Sequence, residues 1–178
     1  MKEKVIIEIP KGSNIKYEIE DGKVKVDRIL FGSMSYPMNY GFFENTLDWD
    51  GDPLDALVIS DHSFGVGVEV PVRILGAVKM IDGGETDTKL IAVIDVDPRF
   101  ANIKTMEDVE EHRIKEVVDF FENYKNLQNK EVRIDGIEGL EYAKAELEET
   151  RELFAKYGTM NKDEFIAKMK EEHPDKYE

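Results

Sequence analysis

The sequence predicts an α+β fold, a mostly antiparallel barrel or curled sheet with helices packed on one side. Two observations predict it. Up to about residue 96, short apolar runs alternate with polar residues and are separated by glycine-bearing turns, a pattern typical of strands. After Pro98, apolar residues recur at helical spacings instead. Because the strands come first and the helices follow, we expect an α+β architecture.

The strand pattern can be followed along the chain. Strands are predicted at residues 5–9, 15–19, 24–28, 57–60, 70–78, 90–96 and 132–134, with an aromatic-rich loop at 32–45. Asp21-Gly22 predicts a hairpin turn between the second and third strands. In a simple register for that hairpin, Arg28 shares a face with Tyr17 and Val24. Its charge therefore either finds a partner at the mouth of a barrel or is buried at a large cost.

The helices are marked by their ends as well as by their periodicity. They are predicted at about 105–124, 139–157 and 161–174. Thr105 followed by Asp108 is typical of a capping box at the start of the first helix. Gly158 stops the second helix. Asn161 with Glu164 forms a second capping pattern at the start of the third.

Length and composition limit the functions to consider. The chain has 178 residues, so a single domain is expected, with or without a helical appendage. Its net charge is −15, and a surface this acidic repels nucleic acid. The sequence contains no cysteine and no long apolar run near Met1. We therefore expect no disulfide, no thiolate metal site and no membrane partner, and a cytoplasmic location.

The segment 50–55 places three carboxylates in one tight turn before a buried strand. These carboxylates belong to Asp50, Asp52 and Asp55, while Gly51 and Pro53 restrict the backbone. Crowded carboxylates repel one another unless a cation lies among them, and their oxygens suit Mg²⁺, Mn²⁺ or Ca²⁺. A solvated surface turn is the alternative interpretation.

A second acidic turn strengthens the metal hypothesis. Asp82 and Asp87 bracket a glycine turn, and Lys89 follows two residues later. If the two turns face each other, four or five carboxylates can hold two or more Mg²⁺ ions, an arrangement that clamps an attacking water and a phosphoryl oxygen. The alternative for this segment alone is a solvated hairpin tip.

A phosphate substrate also needs cationic or hydrogen-bonding groups. The candidates in patterned positions are Lys16, Arg28, Tyr40, Tyr124 and Lys125. Taken singly, a lysine on a strand is usually solvated and a tyrosine in a loop usually covers the core.

Together these motifs resemble the soluble inorganic pyrophosphatases in their short prokaryotic form. The resemblance is carried by segments 7–10, 15–18, 26–28, 36–41, 50–55, 79–89 and 120–125, in family order. It implies a small OB-like five-stranded antiparallel barrel with helices packed against it, and one domain spanning 1–178. Residues from about 158 to 178 correspond to a variable C-terminal helical tail.

The resemblance also implies roles for individual residues. The implied metal ligands are Asp50, Asp55, Asp82, Asp87 and Glu8. The implied general base is Asp52, and Glu18 and Lys89 support the cluster. The groups that hold the two phosphates are Lys16, Arg28, Tyr40, Tyr124 and Lys125. The substrate is then a Mg-pyrophosphate complex bound with several Mg²⁺ ions per subunit, for which Mn²⁺ or other divalent ions could substitute.

The resemblance leaves points to be tested. Lys16 and Arg28 fall on opposite faces of the simple hairpin register, so a twist or bulge must bring both to one pocket. No family role is transferred to Lys130, because the segment after Lys125 differs from the family pattern by about one residue. Family members of this type form homohexamers. The alternatives are a metal-dependent phosphohydrolase acting on another phosphoanhydride or ester, and a noncatalytic divalent-metal-binding barrel.

Overall fold

The computed structural model describes residues 1–20 and 22–177. Its strands are β1 (Lys2–Ile9), β2 (Ile15–Glu20), β3 (Lys23–Ile29), β4 (Asn39–Phe42), β5 (Asp55–Ile59), β6 (Glu69–Asp82), β7 (Glu85–Thr86), β8 (Lys89–Ile94) and β9 (Val132–Glu138). Its helices are α1 (Glu111–Asn123), α2 (Leu140–Tyr157) and α3 (Lys162–Glu172). The predicted α+β class is confirmed.

Five strands pair in a ring. The order is β1, β4, β5, β8 and β6, and β6 pairs with β1 to complete it. The predicted five-stranded OB-like arrangement is therefore present, with one correction, because β5 pairs with β8 in parallel. Sequence alternation does not distinguish parallel from antiparallel pairing here, because both strands are apolar after their first residue. All six residues of β8 are buried.

Helices cover part of this ring and close its core. Helix α2 packs on β6, and α1 packs near β9, the strand that extends the sheet beyond β6. Phe120 and Phe121 on α1 are almost fully buried in the main core. A second small core forms where Phe165 and Met169 of α3 meet Trp49. Thus α3 packs beside the first acidic turn.

The hairpin of β2 and β3 forms a separate two-stranded sheet. Its register shifts between Lys16 and Tyr17, so that Lys16 pairs with Arg28 while Tyr17 pairs with Val26. The simple register is confirmed from the turn as far as Tyr17 and is wrong beyond it, where the expected bulge is confirmed. Asp27 is the extra residue, and it brings Lys16 and Arg28 to one face. The predicted turn residue Asp21 lies outside the described residues.

Two predicted boundaries were also wrong. The first helix begins at Glu111, because Thr105 and Asp108 cap a separate 3₁₀ turn and Val109 is extended after it. The carboxylate of Asp108 accepts the Thr105 N–H at 3.0 Å. The loop expected at 32–45 contains β4, which is too short to show a clear alternation. The other two predicted helices are confirmed within about a residue of their starts.

Within the described part of the chain, no helix combines the length and apolar character that crossing a membrane requires.

Candidate active site

The first acidic turn is held by its own backbone. The Gly51 N–H donates to the carbonyl of Asp48 at 2.9 Å, and the Asp48 N–H donates to the carbonyl of Asp52 at 2.7 Å. Inside this loop, Asp50 Oδ1 accepts the Asp52 N–H at 3.0 Å. Gly51 has φ +82°, a conformation that favours glycine. The turn therefore presents its carboxylates from a fixed backbone.

The parallel pairing of β5 and β8 explains why the two acidic turns meet. Each turn precedes one of these strands, and parallel strands begin at the same edge of a sheet. The register places Asp55 opposite Lys89. Asp87 is held in turn by its N–H, which donates to the carbonyl of Met80 at 3.0 Å.

Both turns line one cleft of about 540 Å³. All the site residues expected from the sequence lie on it: Glu8, Lys16, Glu18, Arg28, Tyr40, Asp50, Asp52, Asp55, Asp82, Asp87, Lys89, Tyr124 and Lys125. Residues from β1, the β2–β3 hairpin, β4, both turns and the end of α1 thus converge. Lys130 lies instead on an adjoining pocket that shares Asp82 and Lys125 with the cleft.

Lys89 joins the two turns. Its Nζ donates to Asp55 Oδ2 at 2.7 Å and to Asp87 Oδ1 at 2.8 Å. The Tyr40 hydroxyl also donates to Asp55 Oδ2. One carboxylate from each turn therefore flanks a single ammonium group, so the turns face each other across Lys89.

Cationic groups also line the cleft. Lys125 Nζ donates to Asp82 Oδ2, and Lys16 Nζ donates to Glu18 Oε1 at 3.0 Å. Arg28 Nε is buried without a hydrogen-bond partner among the residues that the structure describes. Because an unpaired buried donor is costly, this nitrogen is expected to bond a ligand or water in the working protein.

The family model for inorganic pyrophosphatase matches residues 5–155. The chain is 58% identical over 179 residues to inorganic pyrophosphatases of Malacoplasma penetrans and of Ureaplasma parvum, and each match covers 99% of both chains. It belongs to the inorganic pyrophosphatase family.

A solved structure of a family member agrees with this assignment. The inorganic pyrophosphatase of Helicobacter pylori superimposes with a TM-score of 0.83 at 43% identity, over 85% of this chain and 92% of that chain. Residues 156–178 follow the range that the family model matches. They include all of α3.

The electrostatics of the cleft fit the divalent cations that inorganic pyrophosphatases use. Burial, followed by the nearby Asp87 and Asp52 charges, raises the pKa of Asp50 to about 8. Burial and the Asp55 charge raise the pKa of Glu8 to about 7. Burial of this kind favours the protonated carboxyl, and a divalent cation beside these groups would favour the ionised form instead. Carboxylate oxygens are ligands that a hard divalent ion prefers.

The carboxylates are not yet gathered around one position. In residues 1–20 and 22–177, no three Asp, Glu or His side chains are arranged to hold one ion. Instead, ammonium groups pair with them, since Lys89 bonds Asp55 and Asp87 while Lys125 bonds Asp82. Several cleft carboxylates are thus paired with ammonium groups of the chain itself.

Tyr36 and Lys162 are among the cleft residues that were not identified as candidates from the sequence. Tyr36 is buried against Phe120, with ring centroids 4.7 Å apart, and it lies within a motif that carried the family resemblance. Lys162 comes from α3, and its Nζ lies 2.6 Å from Asp52 Oδ2. No local pattern indicates this second contact, because it depends on where α3 packs.

Proposed function

We propose that this cleft hydrolyses inorganic pyrophosphate to two phosphates with Mg²⁺ bound by its carboxylates and Asp52 acting as general base. The reaction is that of the family, and the metal and the residue roles are the proposal. The observation that supports it most is the pair of acidic turns facing each other across Lys89, beside the paired Lys16 and Arg28.

Five carboxylates are proposed as metal ligands. They are Asp50, Asp55, Asp82, Asp87 and Glu8, which all line the cleft. When bound, Mg²⁺ lowers the pKa of a coordinated water and polarises phosphoryl oxygens. Lys89 would support this set through its ion pair with Asp55. Glu18 would do so through its ion pair with Lys16, which lines the same cleft.

The phosphate groups of the substrate are proposed to bind the basic side of the cleft. The residues are Lys16, Arg28, Tyr40, Tyr124 and Lys125. The bulge in β3 sets Lys16 and Arg28 opposite each other on neighbouring strands, and Arg28 Nε lacks a hydrogen-bond partner among the described residues. Charge-assisted hydrogen bonds from these groups would hold both phosphates and disperse charge on the one that leaves.

Asp52 is proposed to accept the proton. Its backbone is fixed by the turn, and among the residues that the structure describes Lys162 bonds its Oδ2, which leaves Oδ1 for a water. In the proposed reaction, the water oxygen forms a bond to one phosphorus as its proton passes to Asp52. The bridging P–O bond breaks, and its electron pair leaves with the second phosphate.

Three further proposals rest on the family resemblance. They are several Mg²⁺ ions per subunit, with Mn²⁺ or other divalent ions as substitutes, a homohexamer, and a cytoplasmic location, which the composition of the chain also favours. Some support for association comes from Val24, Val26, Ile29 and Phe31, which are 51–63% exposed on and after β3. Association would remove apolar surface of this kind from water. Sedimentation analysis of the whole chain tests the number of copies.

A phosphate-release assay tests the catalytic roles. Asp52→Asn and Asp55→Ala should each lower kcat for pyrophosphate by about a hundredfold or more, as expected when a general base or a metal ligand is removed. Asp61→Asn is the matched control, because Asp61 is an exposed carboxylate that pairs with Arg113. ATP should release little phosphate in Mg²⁺. Near-parental rates for both site variants would refute the assignments.

A further inference from the structure

The C-terminal segment, residues 158–177, lies across both acidic turns. It follows the range matched by the family model and contains α3 and a short 3₁₀ turn. On the first turn, the Tyr177 hydroxyl donates to the Trp49 carbonyl at 2.6 Å. Lys176 Nζ lies 4.6 Å from the centroid of the Trp49 ring. The C-terminal segment therefore holds Trp49, the residue that precedes Asp50.

The same segment also holds the second acidic turn. The Thr86 hydroxyl donates to the carbonyl of Lys176 at 2.8 Å. Glu85 forms an isolated β-bridge with Tyr177 and an ion pair with Lys170 at 3.1 Å. Lys176 and Tyr177 thus contact Trp49 beside the first turn through their side chains and the second turn through their backbone.

Lys162 is the residue of this segment that enters the cleft. Its aliphatic chain crosses the first turn at Gly51, where an added Cβ would lie 2.8 Å from Lys162 Cγ. Its Nζ lies 2.6 Å from Asp52 Oδ2. Burial alone would lower the pKa of Lys162, but the bond to Asp52 and the Asp50 and Glu85 charges raise it. The ammonium thus bonds the first acidic turn, and acidic residues of both turns favour its charge.

We propose that Lys162 is a positioning residue for Asp52 and that the C-terminal segment which carries it is part of the active site. This inference rests on the proposed role of Asp52. By bonding one carboxylate oxygen, Lys162 directs the other toward the cleft. A displacement of about 1 Å at a reacting group can slow a reaction by roughly a hundredfold, so even a half-exposed ion pair at this point affects turnover.

The first test separates positioning from substrate binding. Lys162→Met keeps the chain over Gly51 and removes the charge. It should lower kcat by about threefold to tenfold with KM nearly unchanged. Lys162→Arg should recover most of kcat. Lys168→Met is the control, because Lys168 is on α3 and pairs only with Glu172 among the contacts shown. Equal kcat for Lys162→Met and Lys168→Met, or a change confined to KM, would overturn the proposal.

The second test uses metal binding without substrate. Trp49 is the single tryptophan and adjoins Asp50, so its fluorescence can follow a titration with MgCl₂. Removing a positive charge near Asp50 and Asp52 should tighten Mg²⁺ binding by about twofold to fivefold in Lys162→Met. If Lys162 only stabilises the fold, Lys162→Met should bind Mg²⁺ more weakly and also turn over more slowly. That result would overturn the inference. If Lys162→Met is unstable, Lys162→Gln should show the same combination of tighter Mg²⁺ binding and slower turnover.

A double-mutant cycle tests whether Lys162 acts through Asp52. In an Asp52→Asn background, Lys162→Met should change kcat no further. An additional loss of the same size would show that Lys162 acts independently and would overturn the proposal. If Asp52→Asn alone retains the parental kcat, the proposed base is wrong. If Asp52→Asn lowers kcat while Lys162→Met retains the parental kcat, the inference about Lys162 is wrong and the proposed role of Asp52 stands.

Discussion

At the scale of single residues, Lys89 connects stability to function. Its side chain is only 3% exposed, and its ammonium lies between Asp55 and Asp87. Burial opposes the charge of Lys89, but these two carboxylates raise its pKa well above the usual range. Removing one member of such a group leaves uncompensated buried charges of the other sign. Lys89 therefore holds the two acidic turns together before any metal binds.

Lys89→Met should lower the free energy of unfolding by about 3 kcal/mol in EDTA at pH 8, because Asp55 and Asp87 then repel each other. Mg²⁺ should recover part of this loss, since a divalent ion can compensate the same carboxylates. Urea unfolding with and without Mg²⁺ measures both effects. Lys115→Met is the control, because its ion pair with Glu111 is exposed. An equal effect of the two substitutions would contradict this role.

At the scale of secondary structure, the elements predicted best were those with a long and regular pattern. Helices α2 and α3 were located by periodicity and by the residues at their ends, Gly158 and Asn161. The start of α1 was misplaced because a capping box serves a 3₁₀ turn as well as a helix. The sequence pattern contains no signal that separates these two uses.

The candidate site was also partly predictable from the sequence. The acidic turns and the cationic residues were identified as motifs, and the need for a bulge near Lys16 and Arg28 followed from chemistry rather than from alternation. The parallel pairing of β5 with β8 and the contact of Lys162 with Asp52 were not predictable. Both join residues that are distant in the chain, and only the packed fold brings them together.

Strand β4 depends on a close approach that only glycine permits. At Gly41 an added Cβ would lie 2.0 Å from the carbonyl oxygen of Ile6 on β1. Gly41→Ala should therefore separate β1 from β4 in the ring and lower the free energy of unfolding by about 3 kcal/mol or more. Gly32→Ala is the control, because its Cβ would meet only Leu127 Cδ1, at 3.8 Å. Thermal unfolding compares the two, and similar midpoints would contradict the expectation.

At the scale of the whole molecule, the net charge of −15 makes folding, proton binding and metal binding interdependent. The acidic excess is not only on the surface. Burial raises the pKa of Asp48 well above its usual range and also raises that of Asp87, in addition to the shifts at Asp50 and Glu8. The folded chain without metal therefore retains protons that the unfolded chain releases near pH 4.

This linkage predicts how stability depends on pH. Between about pH 5 and pH 8, the native state binds more protons than the unfolded state, because the pKa of Glu8 is about 7 and that of Asp50 about 8 when folded. Stability must then fall as pH rises through this window.

In EDTA, the thermal midpoint should fall by roughly 5 °C or more from pH 5 to pH 8. Mg²⁺ at pH 8 should reverse the fall, because it binds the ionised carboxylates of the native state. Asp50→Asn should weaken both effects, and a midpoint that rises with pH in EDTA would show that these groups are ionised in the metal-free fold.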